Sequence, residues 1–202
     1  MTIFTTSLRK TNLFNLHKTL QLIVVVFLST CYIYIIGETL GLKQMNIFIL
    51  DTDVKKNAQY HANTHVVKQV LEYCQLLSGA CHLQGVAVDG MYKLTHKSHP
   101  SMKWVLESKQ NFDYLLSLTE ALLEEYTHRY GKVHASSRLI PLFKSVQNSI
   151  PKGYNKLTKF AIVVNKEVSN TQDAVTDYRK LYMTSKRDLC KWKNRNTPEW
   201  FI

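Results

Sequence analysis

The sequence predicts a mainly α, compact helical domain with one or two short strands, preceded by an apolar N-terminal segment. Three observations carry that prediction. Apolar residues recur at helical spacing over two long stretches, from about Val54 to Leu77 and from about Ser101 to Tyr130. Strand-like apolar runs are short and confined to Ile47–Leu50 and Phe160–Val164. A separate run, Leu22 to Ile36 (LIVVVFLSTCYIYII), stands ahead of all of this and differs from it in character.

That first run follows Arg9, Lys10 and Lys18, the order of a signal peptide or signal anchor. No small-x-small cleavage site follows, and its 15 residues fall short of the roughly 20 that cross a bilayer. Extension to Leu42 takes in Gly37, Glu38 and Gly41. Two readings of residues 1–44 stand: a leader left by a mis-assigned start, or a membrane anchor through residues 22–42. The sequence favours a working chain that opens at Met45, and residues 45–202 are then a single basic helical domain, long enough to bury a sizeable core.

From Met45 the chain reads MNIFILDTD, a strand with a carboxylate exit, and Asp51 or Asp53 can cap the helix that starts near Val54. Ser78 and Gly79 mark its expected end. Gly85, Asp89 and Gly90 form a loop, and a second polar loop, YKLTHKSHP (Tyr92 to Pro100), leads into the long helix that Gly131 stops. Pro141 and Pro151 break the segment Ala135 to Gly153. A final amphipathic helix is expected over Gln172 to Lys193, and RNTPEWFI closes the chain.

The chain carries 26 Lys+Arg against 15 Asp+Glu, a net charge of +11. Without Arg9, Lys10, Lys18, Lys43 and Glu38 the balance is 22 against 14, so the basicity belongs to the domain. Such a field suits a polyanion, either nucleic acid or an anionic membrane surface. Cys31, Cys74, Cys81 and Cys190 show no CxxC pairing, which argues for reduced thiols and against a disulfide framework or zinc ribbon.

Candidate chemistry begins on the first helix. His61, His65, Lys68 and Glu72 fall at i, i+4, i+7 and i+11, one stripe of a continuous helix. A solvated polar face is the plain interpretation. An acid/base or phosphate-contacting role is the sharper one, with Glu72 the stripe's carboxylate. Metal ligation is a third, joining His61 and His65 to one of His96, His99 or His134, although Ala62 stands where the zinc-protease pattern has glutamate.

The loop Tyr92 to Pro100 presents Lys93, Thr95, His96, Lys97 and His99, donors and cations suited to phosphate oxygens. Pro100 sets the first turn of the next helix, whose N-terminus would add its dipole beside His99. The end of that helix, EEYTHRYGKVH, adds Arg129 and Lys132; Glu125 and Arg129 at i, i+4 also suit a surface ion pair. In the C-terminal stretch Trp192 and Lys193 belong to an aromatic and basic mixture, Tyr178 to Trp200. It suits either stacking on bases or docking of the tail on the core.

Taken together, MNIFILD, the HxxxHVVKxxLExxQLL helix (His61 to Leu77), YKLTHKSHP, EEYxxRYGKxH and WKNRxxPEWF resemble a group of phage and large-virus proteins described as pyrimidine dimer DNA glycosylase-like. The resemblance covers Met45 to Phe201. It implies a compact, basic, helical protein that binds DNA, excises ultraviolet-damaged bases and cleaves the strand, working inside the cell without a small-molecule cofactor. It further implies an N-terminal amine nucleophile that forms a Schiff base with the sugar, assisted by a helix glutamate. Glu72 could stand for that glutamate and His61 for a histidine of the same helix. The amine is where this chain departs: Met1 lies far ahead of the domain, and Asn46 does not favour removal of Met45, so the Met45 amine or Lys68 would have to serve. A metal-dependent hydrolase or nucleotide-modifying enzyme and a membrane-tethered binding module are the alternatives.

Overall fold

A computed structural model of the chain describes residues 45–151, 153–154, 156–163 and 171–202. The apolar run Leu22 to Ile36 and the two readings of residues 1–44 lie outside the described residues. No helix among the described residues is long and apolar enough to cross a membrane.

Six α-helices are present among the described residues: α1 (Val54–Tyr60), α2 (Asn63–Leu83), α3 (Pro100–Glu107), α4 (Lys109–Tyr130), α5 (Ile140–Val146) and α6 (Ala174–Met183). Short 3-10 turns cover Ala135–Leu139, Gln147–Ser149 and Arg187–Leu189. The mainly α expectation holds. α2 and α4 form the centre, with α3 packed against both and α1 against α4. Their facing sides bury Val66, Val70, Leu76 and Leu77 from α2 and Phe112, Leu115, Leu118 and Leu122 from α4, the 3.6-residue periodicity legible in the sequence.

The expected strand Ile47–Leu50 is a correction. The segment is buried and lies in no sheet; the described residues hold only an isolated bridge between Ser108 and Gly153. Side chains take the place of a neighbouring strand. Phe48 N–H donates to Tyr73 Oη (3.0 Å), Leu50 N–H to Asn57 Oδ1 (2.9 Å), Ser101 Oγ to the Met45 carbonyl (2.7 Å) and Arg179 Nε to the Leu50 carbonyl (2.8 Å). With those backbone groups satisfied in a dry interior, no ladder is needed to bury the segment. Residues 160–163 likewise form no strand, and Val164 lies outside the described residues.

Both long helices are broken where no Gly or Pro announces it. The first divides at His61 and Ala62, whose ψ angles of 131° and 156° are extended. His61 Nδ1 bonds the Asn57 carbonyl (2.7 Å), and the first amide of α2, on Asn63, is taken by the Lys191 carbonyl (2.8 Å). α2 then runs through Gly79 to Leu83 rather than stopping at Ser78. Gly79 lies inside the helix, and Met102 and Leu94 approach its bare face so closely that a Cβ would clash there. The second stretch breaks at Ser108 (φ −152°, ψ 154°), whose Oγ accepts from Asn111 N–H (3.1 Å) as the cap of α4. Gly131 ends α4 at φ 62° as expected. The last helix spans only ten residues, Ala174–Met183, opened by the Asp173 cap.

The C-terminal tail docks on the core. Trp192 Nε1 donates to the Tyr60 carbonyl (2.9 Å), Trp200 packs edge-on against Tyr60 and Tyr182, and Arg179 lies 5.2 Å over the Trp200 ring. Cys74 and Cys81 are buried free thiols pushed up to about 12 by burial, which leaves them protonated and inert. Cys31 lies outside the described residues.

Candidate functional site

The buried MNIFIL segment organises the polar cluster that the helix stripe suggested. Phe48 stacks on His65 with ring centroids 4.6 Å apart and meets His61, Tyr178 and Tyr182 edge-on. A directed hydrogen-bond chain runs beside it. Phe48 N–H donates to Tyr73 Oη, the Tyr73 hydroxyl donates to His61 Nε2 (3.3 Å), and His61 Nδ1–H donates to the Asn57 carbonyl. The Asn57 carbonyl requires the proton on Nδ1, and in a neutral His61 Nε2 is then left to accept from Tyr73. Burial lowers the His61 pKa to about 4, in agreement with that tautomer.

His65 Nδ1 meets Tyr182 Oη at 2.6 Å. Burial, then the charges of His61, Lys186 and Lys68, lower its pKa to about 3. His65 is therefore neutral at physiological pH and serves as a hydrogen-bonding and stacking group rather than a proton donor.

The stripe is not a solvated face. His61 is off the helix and wholly buried, His65 and Glu72 are 5% and 7% exposed, and only Lys68 reaches solvent. Lys68 Nζ lies 3.1 Å from Glu72 Oε1. Glu72 Oε2 and the neighbouring Gln69 Oε1 are buried with no hydrogen-bond partner in the protein. Lys186, half-buried just beyond α6, brings its Nζ to 5.9 Å from the Phe48 ring centroid. Lys186, Lys68, Glu72 and His65 therefore share one electrostatic neighbourhood. The sequence reading missed Lys186, Tyr73 and Phe48 as members of this cluster. Lys186 lies more than 110 residues from Glu72, and the break at His61 and Ala62 with the extended MNIFIL segment places Tyr73 and Phe48 where helical spacing does not.

The loop Tyr92 to Pro100 rests on the other half of α2. Tyr92 N–H donates to Ser78 Oγ (3.2 Å), and its hydroxyl pairs with Ser136 Oγ (2.9 Å). Ser78 follows His65 by 13 residues, so the Tyr92 end of the loop meets α2 about 20 Å from His65 along the helix axis. Lys93 and Lys97 are exposed there, with Lys132 exposed after α4. His99 Nδ1 accepts from Ser101 N–H (3.1 Å) and caps α3. The side chain thus occupies the amide that the sequence offered to an anion. His96 adopts φ 52° with Nδ1 buried and unpartnered.

Arg129 is a second correction. It is 1% exposed, donating from Nε to Glu125 Oε1 (2.6 Å), from Nη1 to Asn63 Oδ1 (3.0 Å) and from Nη2 to the Gln59 carbonyl (2.8 Å). Glu125 also receives Arg195 (2.8 Å). This is an internal tie between α4, the α1–α2 junction and the tail; neither a surface ion pair nor a phosphate contact fits it. Trp192 is docked by its hydrogen bond and its contact with Phe201, while Lys193 stays exposed with Nζ 5.5 Å over the Tyr130 ring.

The metal-site arrangement does not assemble. Both nitrogens of His61 are engaged, His99 and His134 use Nδ1 to accept from Ser101 and Ser136 N–H, and among the described residues no three His, Cys, Asp or Glu side chains are placed to hold an ion.

Residues 45–138 match the family model described as pyrimidine dimer DNA glycosylase, in agreement with the resemblance carried by the motifs. No curated protein and no solved structure matches the chain.

Proposed function

With residues 45–138 belonging to the pyrimidine dimer DNA glycosylase family, we propose that this protein binds DNA, excises damaged pyrimidines and cleaves the strand at the resulting abasic site. The observation that supports this best is Glu72, a buried carboxylate with one oxygen unpartnered, beside a lysine-bearing rim. A target base must leave the stack to expose the glycosidic carbon C1′. There an amine displaces the base, which departs with the electrons of the C1′–N bond. Glu72 stabilises positive charge on the sugar and accepts the proton of the following elimination.

The other candidates take graded parts. Neutral His65 pairs with Tyr182 and stacks on Phe48, and His61 with Tyr73 holds the MNIFIL segment in place. Exposed Lys93, Lys97, Lys132 and Lys193 neutralise phosphates, while His96 and His99 shape the loop that carries the first two. DNA as substrate implies action inside the cell.

The test incubates pure protein with ultraviolet-irradiated and untreated duplex. Strand breaks confined to irradiated DNA are expected, and Glu72→Gln should slow them by about 10²- to 10⁴-fold while the protein stays folded. Dimer-containing DNA that remains intact after prolonged incubation with active-concentration protein removes the proposal.

A further inference from the structure

The outward face of α2 carries apolar residues that take no part in the core. Val67 and Leu71 are 43% and 38% exposed, and at i, i+4 they stand about 6 Å apart on one stripe. Both belong to the HVVKxxLE stretch, whose polar members the glycosylase reading takes up and whose two exposed apolar members it leaves without a task. A third apolar side chain comes from the turn after α4. Val133 is 76% exposed, and the adjoining His134 ring, with Nδ1 accepting from Ser136 N–H (3.1 Å), bonds the Val67 backbone and so holds the turn beside α2.

Cations rim these three residues. Lys68, with its side chain 62% exposed, follows Val67 on α2, and Lys132, also exposed, precedes Val133. Lys193 lies over the Tyr130 ring, whose hydroxyl donates to the Asn63 carbonyl (3.2 Å) at the start of α2. Clustered exposed apolar side chains mark a surface that meets a partner, and the lysines around them select a polyanionic one.

We propose that Val67, Leu71 and Val133 form an apolar ridge that enters the base stack of duplex DNA at the damaged step and fills the space an extruded pyrimidine leaves, an inference that rests on the base-excision reading above. Phosphates of both strands flank an opened step, where Lys68, Lys132 and Lys193 meet them. An opened stack also exposes apolar base faces to water, and aliphatic side chains cover those faces and hinder return of the base. The register suits this task. Leu71 directly precedes Glu72, so the side chain that holds the stack apart and the carboxylate assigned to the sugar are fixed on one helix.

The test uses the full-length protein and a duplex carrying a thymine dimer with 2-aminopurine in the adjoining position, whose fluorescence rises on unstacking. Wild type should raise the signal on binding. Leu71→Ala and Val133→Ser should leave Tm and the salt slope of binding at wild-type values, because both residues are exposed and no cation is removed. They should nevertheless weaken the fluorescence rise and slow strand cleavage by about 10- to 100-fold, the range expected from the energy of unstacking a step. Leu71→Met, which restores apolar length, should recover both signals, and Val88→Ala, 39% exposed in the loop after α2, should change neither. Undiminished fluorescence and cleavage in Leu71→Ala and Val133→Ser overturn the ridge and leave base excision standing. A ridge-dependent fluorescence rise with no cleavage by wild type upholds the ridge and refutes base excision. Self-association that sedimentation shows to be lost in Leu71→Ala, with the fluorescence rise unchanged, assigns the face to a second copy of the chain and overturns the proposal.

Discussion

Replacing Arg129 by Met separates a structural arginine from a phosphate-binding one. The side chain is 0% exposed and makes hydrogen bonds to Glu125, Asn63 and Gln59. Met fills similar volume and removes the charge, leaving Glu125, itself 3% exposed, with Arg195 alone. Breaking a buried pair by deleting one partner costs about 3–5 kcal/mol. The surviving Arg195 contact and the packing of Met favour the lower end, about 3 kcal/mol, which for a domain of this size lowers Tm by roughly 6–12 °C. Calorimetry or circular dichroism at pH 7 reads the shift, and DNA binding across a salt series reads the alternative. A phosphate contact would leave Tm unchanged and lower the salt slope by about one. An unchanged Tm with a reduced slope would refute the buried-network argument. The pH dependence gives a further check. Burial pushes the Glu125 carboxyl up, but hydrogen bonds from Arg195 and Arg129 more than reverse this and hold it below 4.5. A depressed carboxylate contributes stability above its ordinary value and loses it as pH falls through the folded value. The gap between wild type and Arg129→Met should therefore be full above about pH 5 and narrow in acid.

Three other outcomes are expected. His61 and His65 have pKa values lowered to about 4 and about 3 from 6.5, so unfolding takes up protons between those limits. Stability should fall as pH drops below 6.5, by up to ~1.4 kcal/mol per pH unit for each histidine, and His61→Gln should flatten the slope in urea titrations. Exposed Lys93, Lys97 and Lys132, changed singly to Gln, should each lower the salt slope of DNA binding by about one with Tm held, as a nitrocellulose or fluorescence titration would report. Ser108→Ala removes the α4 cap and should cost about 1 kcal/mol in chemical denaturation, although nothing in the flanking sequence marks a helix boundary.

Much of the fold was legible because periodicity is local. The apolar faces around Val66 to Leu77 and Leu115 to Leu122, the Gly131 stop and the reduced cysteines follow from residues a few positions apart. The breaks at His61 and Ser108 were not legible. Each is imposed by a distant group: the Lys191 carbonyl takes the α2 amide, and Gly153 pairs with Ser108. MNIFIL shows the same limit. Its apolar pattern signals burial, but whether the backbone hydrogen bonds go to a strand or to Tyr73, Asn57, Ser101 and Arg179 depends on where those side chains arrive.

The candidate site divides along the same line. The sequence by itself determined the helical class, the basic charge, and the family motifs with Lys68 and Glu72 one turn apart. Tertiary structure alone decided that His61 and Arg129 are internal ties and that His99 is a cap. It also decided that Lys186, more than 110 residues from Glu72, stands in the same cluster. Spacing along a helix reports which residues share a face, whereas burial, protonation and pairing depend on what the rest of the chain packs against that face.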